Sequence, residues 1–417
     1  MNVKNNVEPD WNLILLSCLI SLAIFLNYFF WSINAYKFFK FINFFSLLVF
    51  LFYFVGNKKF KNYTYVKLFI FCLLILCLGS VTVDWDARSV WGFHAKRIFF
   101  DNNLYAGFDH YMPELMNSYP LLPASLTATF AQIIGHWNEI YPKSTNVLIL
   151  VPALLIQCSF LKSNKSILFW LMLILLFSGR ILVNGLMDGL VAMYFVTNCI
   201  IIYNLFFENY LNYGKNINEI NKRKMSLFYT GIFCGIILSL LKNEGFVLLL
   251  ILLIITFLFK IFLRKPFTKK EIVYWILATT PIIIWKFLAL HNGVYPRILG
   301  VGLTEALVST NSLERIILRL GEIENYKLTF DRLLLNEKFI FSVLIFTFCI
   351  YKSFKNNKLI YSFVIANALV YYILLYLVYF STPHDLSWHL NSSHRVIITI
   401  VMILSFFSVY LYSKKNR

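Results

Sequence analysis

Carboxylates able to take a proton and cations able to hold an anion recur in five short stretches of this chain, most of them pressed between long apolar runs. DWDARSVWGFHAK starts where the run YVKLFIFCLLILCLGSV ends, and sets Asp84, Asp86, Arg88, His94 and Lys96 among Trp85, Trp91 and Phe93. HYMPELMNSYPLLP, with Asp109 just before it, adds His110, Glu114 and the Tyr119-Pro120 step. NGLMDG holds Asp188, LKNEG holds Lys242 and Glu244, and STPHDLSWHLNSSHR gathers His384, Asp385, His389, His394 and Arg395 before the last apolar segment. A positioned carboxylate can deprotonate a hydroxyl, and Lys, or better Arg, can hold a phosphate. Together they suit a reaction in which a hydroxyl attacks and a phosphate leaves.

Each stretch also has a plainer structural reading. The first could be an interfacial amphipathic helix with its Trp residues at headgroup level, although such an anchor has little use for acids. Pro120 could simply open a helix, and Asn184, Gly185 and Gly189 suit a turn around Asp188. Lys242 and Glu244 are harder to set aside, because an ion near the centre of a membrane helix costs about 2.5 to 3.5 kcal/mol. Either the chain turns there at a membrane surface or the charges face a polar cavity. The three histidines and the acid of the last stretch match no standard zinc spacing. An anion is the more natural partner for Arg395 and the imidazoles, and the sequence leaves a divalent cation open.

Positioning these groups falls to a chain of 417 residues that is 59% hydrophobic and only 14% charged, with a mean hydropathy of +0.69. A soluble domain carries about 25% charged residues, so the expected class is all-α, a polytopic transmembrane helix bundle. At roughly 20 apolar residues per crossing, about twelve spans are expected. They centre near residues 21, 46, 75, 153, 174, 197, 234, 254, 281, 345, 369 and 403. The expected organisation is one integral-membrane unit over 1–417: three N-terminal helices in 1–83, an outer loop with interfacial helices in 84–144, and the remaining spans in 145–417. The N-terminal apolar segment lacks a small-residue cleavage signature and reads as a retained anchor.

Basic residues cluster between spans at Lys58, Lys59 and Lys61; Lys162 and Lys165; Lys215, Lys222, Arg223 and Lys224; Arg264, Lys265, Lys269 and Lys270; Lys352, Lys355 and Lys358; and Lys414, Lys415 and Arg417. Placing all of them on the cytoplasmic side satisfies the positive-inside rule, with both termini inside. The alternation requires residues 120–137 to lie along or dip into the membrane without crossing it, and it leaves Lys37 and Lys40 as exceptions outside. The five motifs then share the outer face. The net charge of +18 is scattered in loop clusters and offers no extended basic face, so a nucleic-acid partner is not expected. All seven cysteines sit in apolar segments, which suits small buried hydrophobes better than a disulfide frame.

In the order and content of these motifs the chain resembles the GT-C superfamily of integral-membrane glycosyltransferases, in particular bacterial enzymes related to protein mannosyltransferases and to the aminoarabinose transferase of lipid A. The likeness runs over about residues 80–400: the acidic stretch after an early span, the Tyr-Pro step of SYPLLP, the turn NGLMDG, the KNEG segment and the ending TPHDLSWHLNSSHR. It implies a polyprenyl-phosphate sugar donor, a glycan, lipid or protein acceptor, and an inverting displacement at the periplasmic or outer face of a bacterial inner membrane. Asp86 would be the base that activates the acceptor, with Asp84 the alternative. Lys242 and Arg395 would face the donor phosphate, helped by Arg88 and Lys96, and Asp188 and Glu244 would shape the pocket. His94, His110, Tyr119, Asp385 and His389 complete the expected substrate-binding set. The chain departs from its relatives in having three helices before the acidic loop, where many have one, and in reading SSHR where an acid often precedes the arginine.

Two other functions fit the same inventory. A transporter or flippase of a lipid-linked or anionic solute would place its ionisable residues near mid-bilayer between repeated halves, and no repeat is evident. An oligosaccharide ligase or polymerase would favour a large late outer loop, and the segment from His291 to Asn336 is long enough for one.

Overall fold

The computed structural model describes residues 8–82, 84–105, 118–161, 163–207, 217–292, 297–298, 301–302, 311–381 and 385–415. These residues are helical almost throughout. In chain order the first elements are α1 (Trp11–Ser32), α2 (Tyr36–Gly56), α3 (Thr64–Gly79), a π-helix (Ala87–Gly92), α4 (Phe93–Asp101), α5 (Leu122–Ile134), α6 (Thr145–Phe160), α7 (Asn164–Val183) and α8 (Asp188–Phe206). Then come α9 (Ile217–Leu241), α10 (Asn243–Phe262), α11 (Lys269–His291), α12 (Asn311–Gly321), α13 (Ile323–Leu334), α14 (Glu337–Ser381), α15 (Leu386–His389), α16 (Ser393–Val396) and α17 (Ile398–Lys415). One two-residue antiparallel pairing, 297–298 with 301–302, is the sole strand contact among the described residues.

Ten helices are long and apolar enough to cross a membrane, or eleven if α13 and the first part of α14, bent by 66°, count as one span. The chain is therefore a multi-pass membrane protein, with fewer full-length spans than the twelve expected. The difference lies at two centres. The segment near 345 reaches membrane length only by joining α13 across the bend. The segment near 153 forms α6, which has 16 residues and rises about 24 Å against a hydrocarbon core of about 30 Å. In α14 the backbone breaks at Asn357, where φ is −133°, and the Tyr361 hydroxyl reaches back to the Cys349 carbonyl at 2.8 Å.

Short as it is, α6 connects the same two levels as its neighbours. At one end the Asp10 N–H donates to the Ser159 carbonyl at 3.1 Å, and the Tyr63 hydroxyl, one residue before α3, donates to Asp10 Oδ2 at 2.9 Å. At the other, Ser80 just past α3 meets Lys143 just before α6, Nζ to Oγ at 2.9 Å, and approaches the last carbonyl of α7 on Val183 at 3.5 Å. Residues 120–137, expected not to cross, form the 13-residue α5. A left-handed Gly135 (φ +93°) ends it, and its Thr127 hydroxyl meets Thr145 at the start of α6 at 2.7 Å. Polar side chains pin α5 to α1, with Trp31 Nε1 donating to Thr129 Oγ1 at 2.8 Å. The connection before it carries two short helices, the π-helix and α4.

The interior is apolar and tight around α6, α8 and α17, whose side chains are buried along most of their length. The outer faces of α2, α7, α11 and α14 carry exposed Phe, Leu and Ile, including Phe52, Leu176, Phe287 and Leu344. In a soluble protein such a surface would aggregate; here it is the surface that meets lipid.

Candidate functional site

The motifs converge where α3, α7 and α9 end and α8 and α10 begin. The chain leaves α3 at Ser80 and re-enters helical backbone at Trp85 and Asp86, just ahead of the π-helix Ala87–Gly92. A π-turn widens the backbone and is found mostly at functional positions. This one is closed by Gly92, where an added Cβ would stand 2.9 Å from the Ala87 carbonyl oxygen. Asp84 is held by Asn184, which caps the end of α7, with Nδ2 to Oδ2 at 2.6 Å. Gly185 then turns the chain at φ +85° and delivers Asp188 to the first turn of α8, where helix polarity favours an acid.

Lys242 lies between α9 and α10 in fully extended conformation. The break is tight because Gly245 abuts the Leu238 carbonyl so closely that a Cβ would fall 2.0 Å from its oxygen. From there Lys242 Nζ reaches Asp188 Oδ1 at 3.0 Å and Glu244 Oε1 at 3.1 Å. The Tyr119 hydroxyl comes to 3.5 Å from the same Glu244 oxygen, and the Tyr119 ring stacks on Trp91 with centroids 5.5 Å apart. Arg395 closes the group from the far end of the sequence, its Nη1 donating to Asp86 Oδ2 at 2.7 Å. The charges of Asp188, Asp86 and Asp84 all bear on Arg395, and that of Asp86 also reaches Lys242. Asp84, Asp86, Tyr119, Asp188, Lys242, Glu244 and Arg395 thus form one electrostatic cluster at one end of the bundle. Burial, and then the negative charge of Glu244, push the Tyr119 phenol well above its ordinary range, so it stays neutral and donates.

The remaining expected residues lie apart from this cluster or serve the scaffold. Arg88 is exposed on the π-helix and has no hydrogen bond or ion pair among the described residues. His94 is buried on the inner face of α4 beside Phe93. Lys96 points outward and pairs with Glu139 at 2.9 Å. Asp385 is an exposed helix cap that accepts from the Trp388 N–H at 2.9 Å. His389 packs edge-on against Tyr379, which bonds Ser392 at 3.1 Å. His110, with Asp109 and Glu114, lies outside the described residues, as does His384.

One cation escaped the sequence reading. Lys286 projects from the last turns of α11 into the cluster, where Nζ donates to the Ser118 carbonyl at 3.0 Å and to Asn243 Oδ1 at 2.5 Å. Both partners are neutral. A lysine inside an apolar helix was itself the signal, since an ion there marks a function by default. Among the described residues no group of three His, Cys, Asp or Glu side chains is arranged to hold a metal ion.

No family model, no curated protein and no solved structure matches this chain.

Proposed function

We propose that this chain is a GT-C-type membrane glycosyltransferase that moves a sugar from a polyprenyl-phosphate carrier onto an acceptor hydroxyl. The observation that carries the reading is the meeting of Asp86, Asp188, Lys242, Glu244 and Arg395, drawn from four separated motifs, at one end of an apolar bundle. A substrate that needs both a bilayer and a cluster of acids and cations is a lipid-linked phosphate. Transport offers weaker support, because the charges gather at one end and not between two halves near the middle.

In this reading Asp86 takes the proton from the acceptor hydroxyl as its oxygen attacks the anomeric carbon. The bond from that carbon to the phosphate oxygen breaks on the opposite side, and its electron pair leaves on the lipid phosphate. The leaving group is a stable anion and needs positive charge more than a proton; Lys242, Arg395 and Lys286 are placed to supply it. Without donor, Arg395 is occupied by Asp86. An arriving phosphate competes for the guanidinium and frees the carboxylate to act as base, which ties proton abstraction to an occupied donor site. Asp188 and Glu244 keep the Lys242 ammonium directed at the phosphate.

In this reading the site faces outward from a bacterial inner membrane, and the charge pattern supports that orientation. The helix ends and connections at the opposite end carry Lys58, Lys59, Lys61, Lys165, Lys222, Arg223, Lys224, Arg264, Lys265, Lys269 and Lys270, which favour the cytoplasm. The test is a deletion strain complemented with variants, reading lipid-linked sugars and surface glycans by mass. Asp86→Asn should express and insert normally yet restore no transfer, because the amide keeps the shape and removes the base. Full restoration by both Asp86→Asn and Asp84→Asn would overturn the proposal.

A further inference from the structure

Against the π-helix lies a cavity of about 40 Å³. Its walls are Ala87, Arg88 and Trp91 of the π-helix, Thr127 of α5, Trp137 to Glu139, Asn146 of α6, and Gly185. It therefore adjoins both acids of the first motif: Ala87 follows Asp86, and Gly185 follows the Asn184 that holds Asp84. Most polar groups in its walls are already engaged. Trp137 Nε1 donates to Glu139 Oε1 at 3.0 Å, Asn138 Oδ1 accepts from the Ile140 and Tyr141 N–H groups at 2.8 and 3.0 Å, and Lys143 is bonded to Ser80.

Two are not. Asn146 is only 5% exposed, and its amide makes no hydrogen bond among the described residues. It lines the void, so its amide can bond a water or a ligand hydroxyl there. Arg88, at the mouth, offers a planar fork of donors with no protein acceptor among the described residues. The indoles of Trp91 and Trp137 flank these groups. Indole surface beside an amide that both gives and takes hydrogen bonds, with a guanidinium at the rim, matches a polyhydroxylated ring, which has apolar C–H faces and an edge of hydroxyls.

We infer that this cavity is a carbohydrate subsite and that the acceptor is a glycan, not a lipid headgroup or a protein hydroxyl. The void has room for a few water-sized groups, so it takes the hydroxyl-bearing edge of one sugar while the ring lies against half-buried Trp137. Its role as acceptor site rests on the glycosyl-transfer reading; sugar binding does not.

Saturation-transfer NMR on the full-length protein in micelles, with free glucose, galactose, mannose and N-acetylglucosamine as probes, tests it. At least one sugar should receive saturation from the wild type. That signal should fall about tenfold in Asn146→Leu, which keeps the shape and removes the amide, and in the rim variant Trp137→Ala, and it should persist in Asp86→Asn. No transfer to any of the four sugars, or transfer that survives both substitutions, would overturn the subsite. Should sugars bind through Asn146 while Asp86→Asn stays fully active in cells, the carbohydrate site stands and the assignment of the base falls. If Asp86→Asn is inactive in cells and no sugar binds the wild type, the base stands and the carbohydrate site falls.

Discussion

Removing the Lys242 ammonium is the sharpest perturbation of the cluster. Its side chain is 10% exposed and that of its partner Asp188 8%, and they meet at 3.0 Å. In Lys242→Met the carboxylate of Asp188 stays buried without its ion-pair partner, and only the more distant Arg395 charge is left to balance it. Breaking such a pair from one side costs about 3 to 5 kcal/mol, a shift of at least about 100-fold in the folding equilibrium at about 1.4 kcal/mol per decade. The three carboxylate arrangements should then rank. Glu244→Gln should cost least, because Glu244 is 32% exposed and Lys242 keeps Asp188. Asp188→Asn should be intermediate, because Lys242 keeps Glu244. The double variant Asp188→Asn with Lys242→Met should recover most of the loss of Lys242→Met alone, since no buried charge is left unpaired between them. Reversible unfolding in mixed micelles, read by tryptophan fluorescence, measures all four. A Lys242→Met protein as stable as wild type, or a double variant no better than the single, would refute the claim that this pair is desolvated and coupled.

Other outcomes follow from individual contacts. Gly245→Ala should disrupt the helix break, because the new Cβ would stand 2.0 Å from the Leu238 carbonyl oxygen; loss of the folded fraction on size-exclusion chromatography checks it, and normal yield with normal transfer would contradict it. Lys286→Met should weaken donor use about tenfold or more through KM and also lower thermal stability modestly, since the buried Ser118 and Asn243 oxygens lose a donor; an unchanged KM would remove Lys286 from the donor site. With its phenol raised above an ordinary value of 10.0, Tyr119 stays protonated as pH rises to about 10. Wild type and Tyr119→Phe should therefore have the same alkaline profile below that pH in a transfer assay, and an alkaline limb that vanishes in Tyr119→Phe would show the phenol titrating.

Much of this site was legible in the sequence because charges in a greasy chain have few dull explanations. Lys242 and Glu244 stood out by the expense of placing them near lipid, Asp86 as an acid that an interfacial anchor has no use for, and Arg395 as a phosphate ligand; with Asp188, which a turn alone could have explained, they are the residues brought together. His94, Lys96, Asp385 and His389 were drawn in by proximity along the chain; helix geometry turns His94 inward and Lys96 outward, and Asp385 spends its carboxylate on capping. Lys286 was missed because a single lysine near the end of an apolar run reads as a boundary. The span expected near 153 is present as α6, a 16-residue helix shorter than a full-length span, because hydropathy records how apolar a run is, not how long a helix it forms.

The buried pair of Lys260 and Glu271, at the opposite end of the bundle, has a bearing on how the chain enters the membrane. These residues sit in the last turn of α10 and the first turn of α11, joined by a short connection, so the hairpin can neutralise its own charges as it leaves the insertion machinery. Asp188 has no such local partner, since its lysine lies 54 positions further along. During synthesis α8 must therefore wait, its acid held near water, until α9 and α10 have emerged. Assembly of the charged end should therefore be a late event, and truncations released before Lys242 should be the ones that quality-control proteases clear.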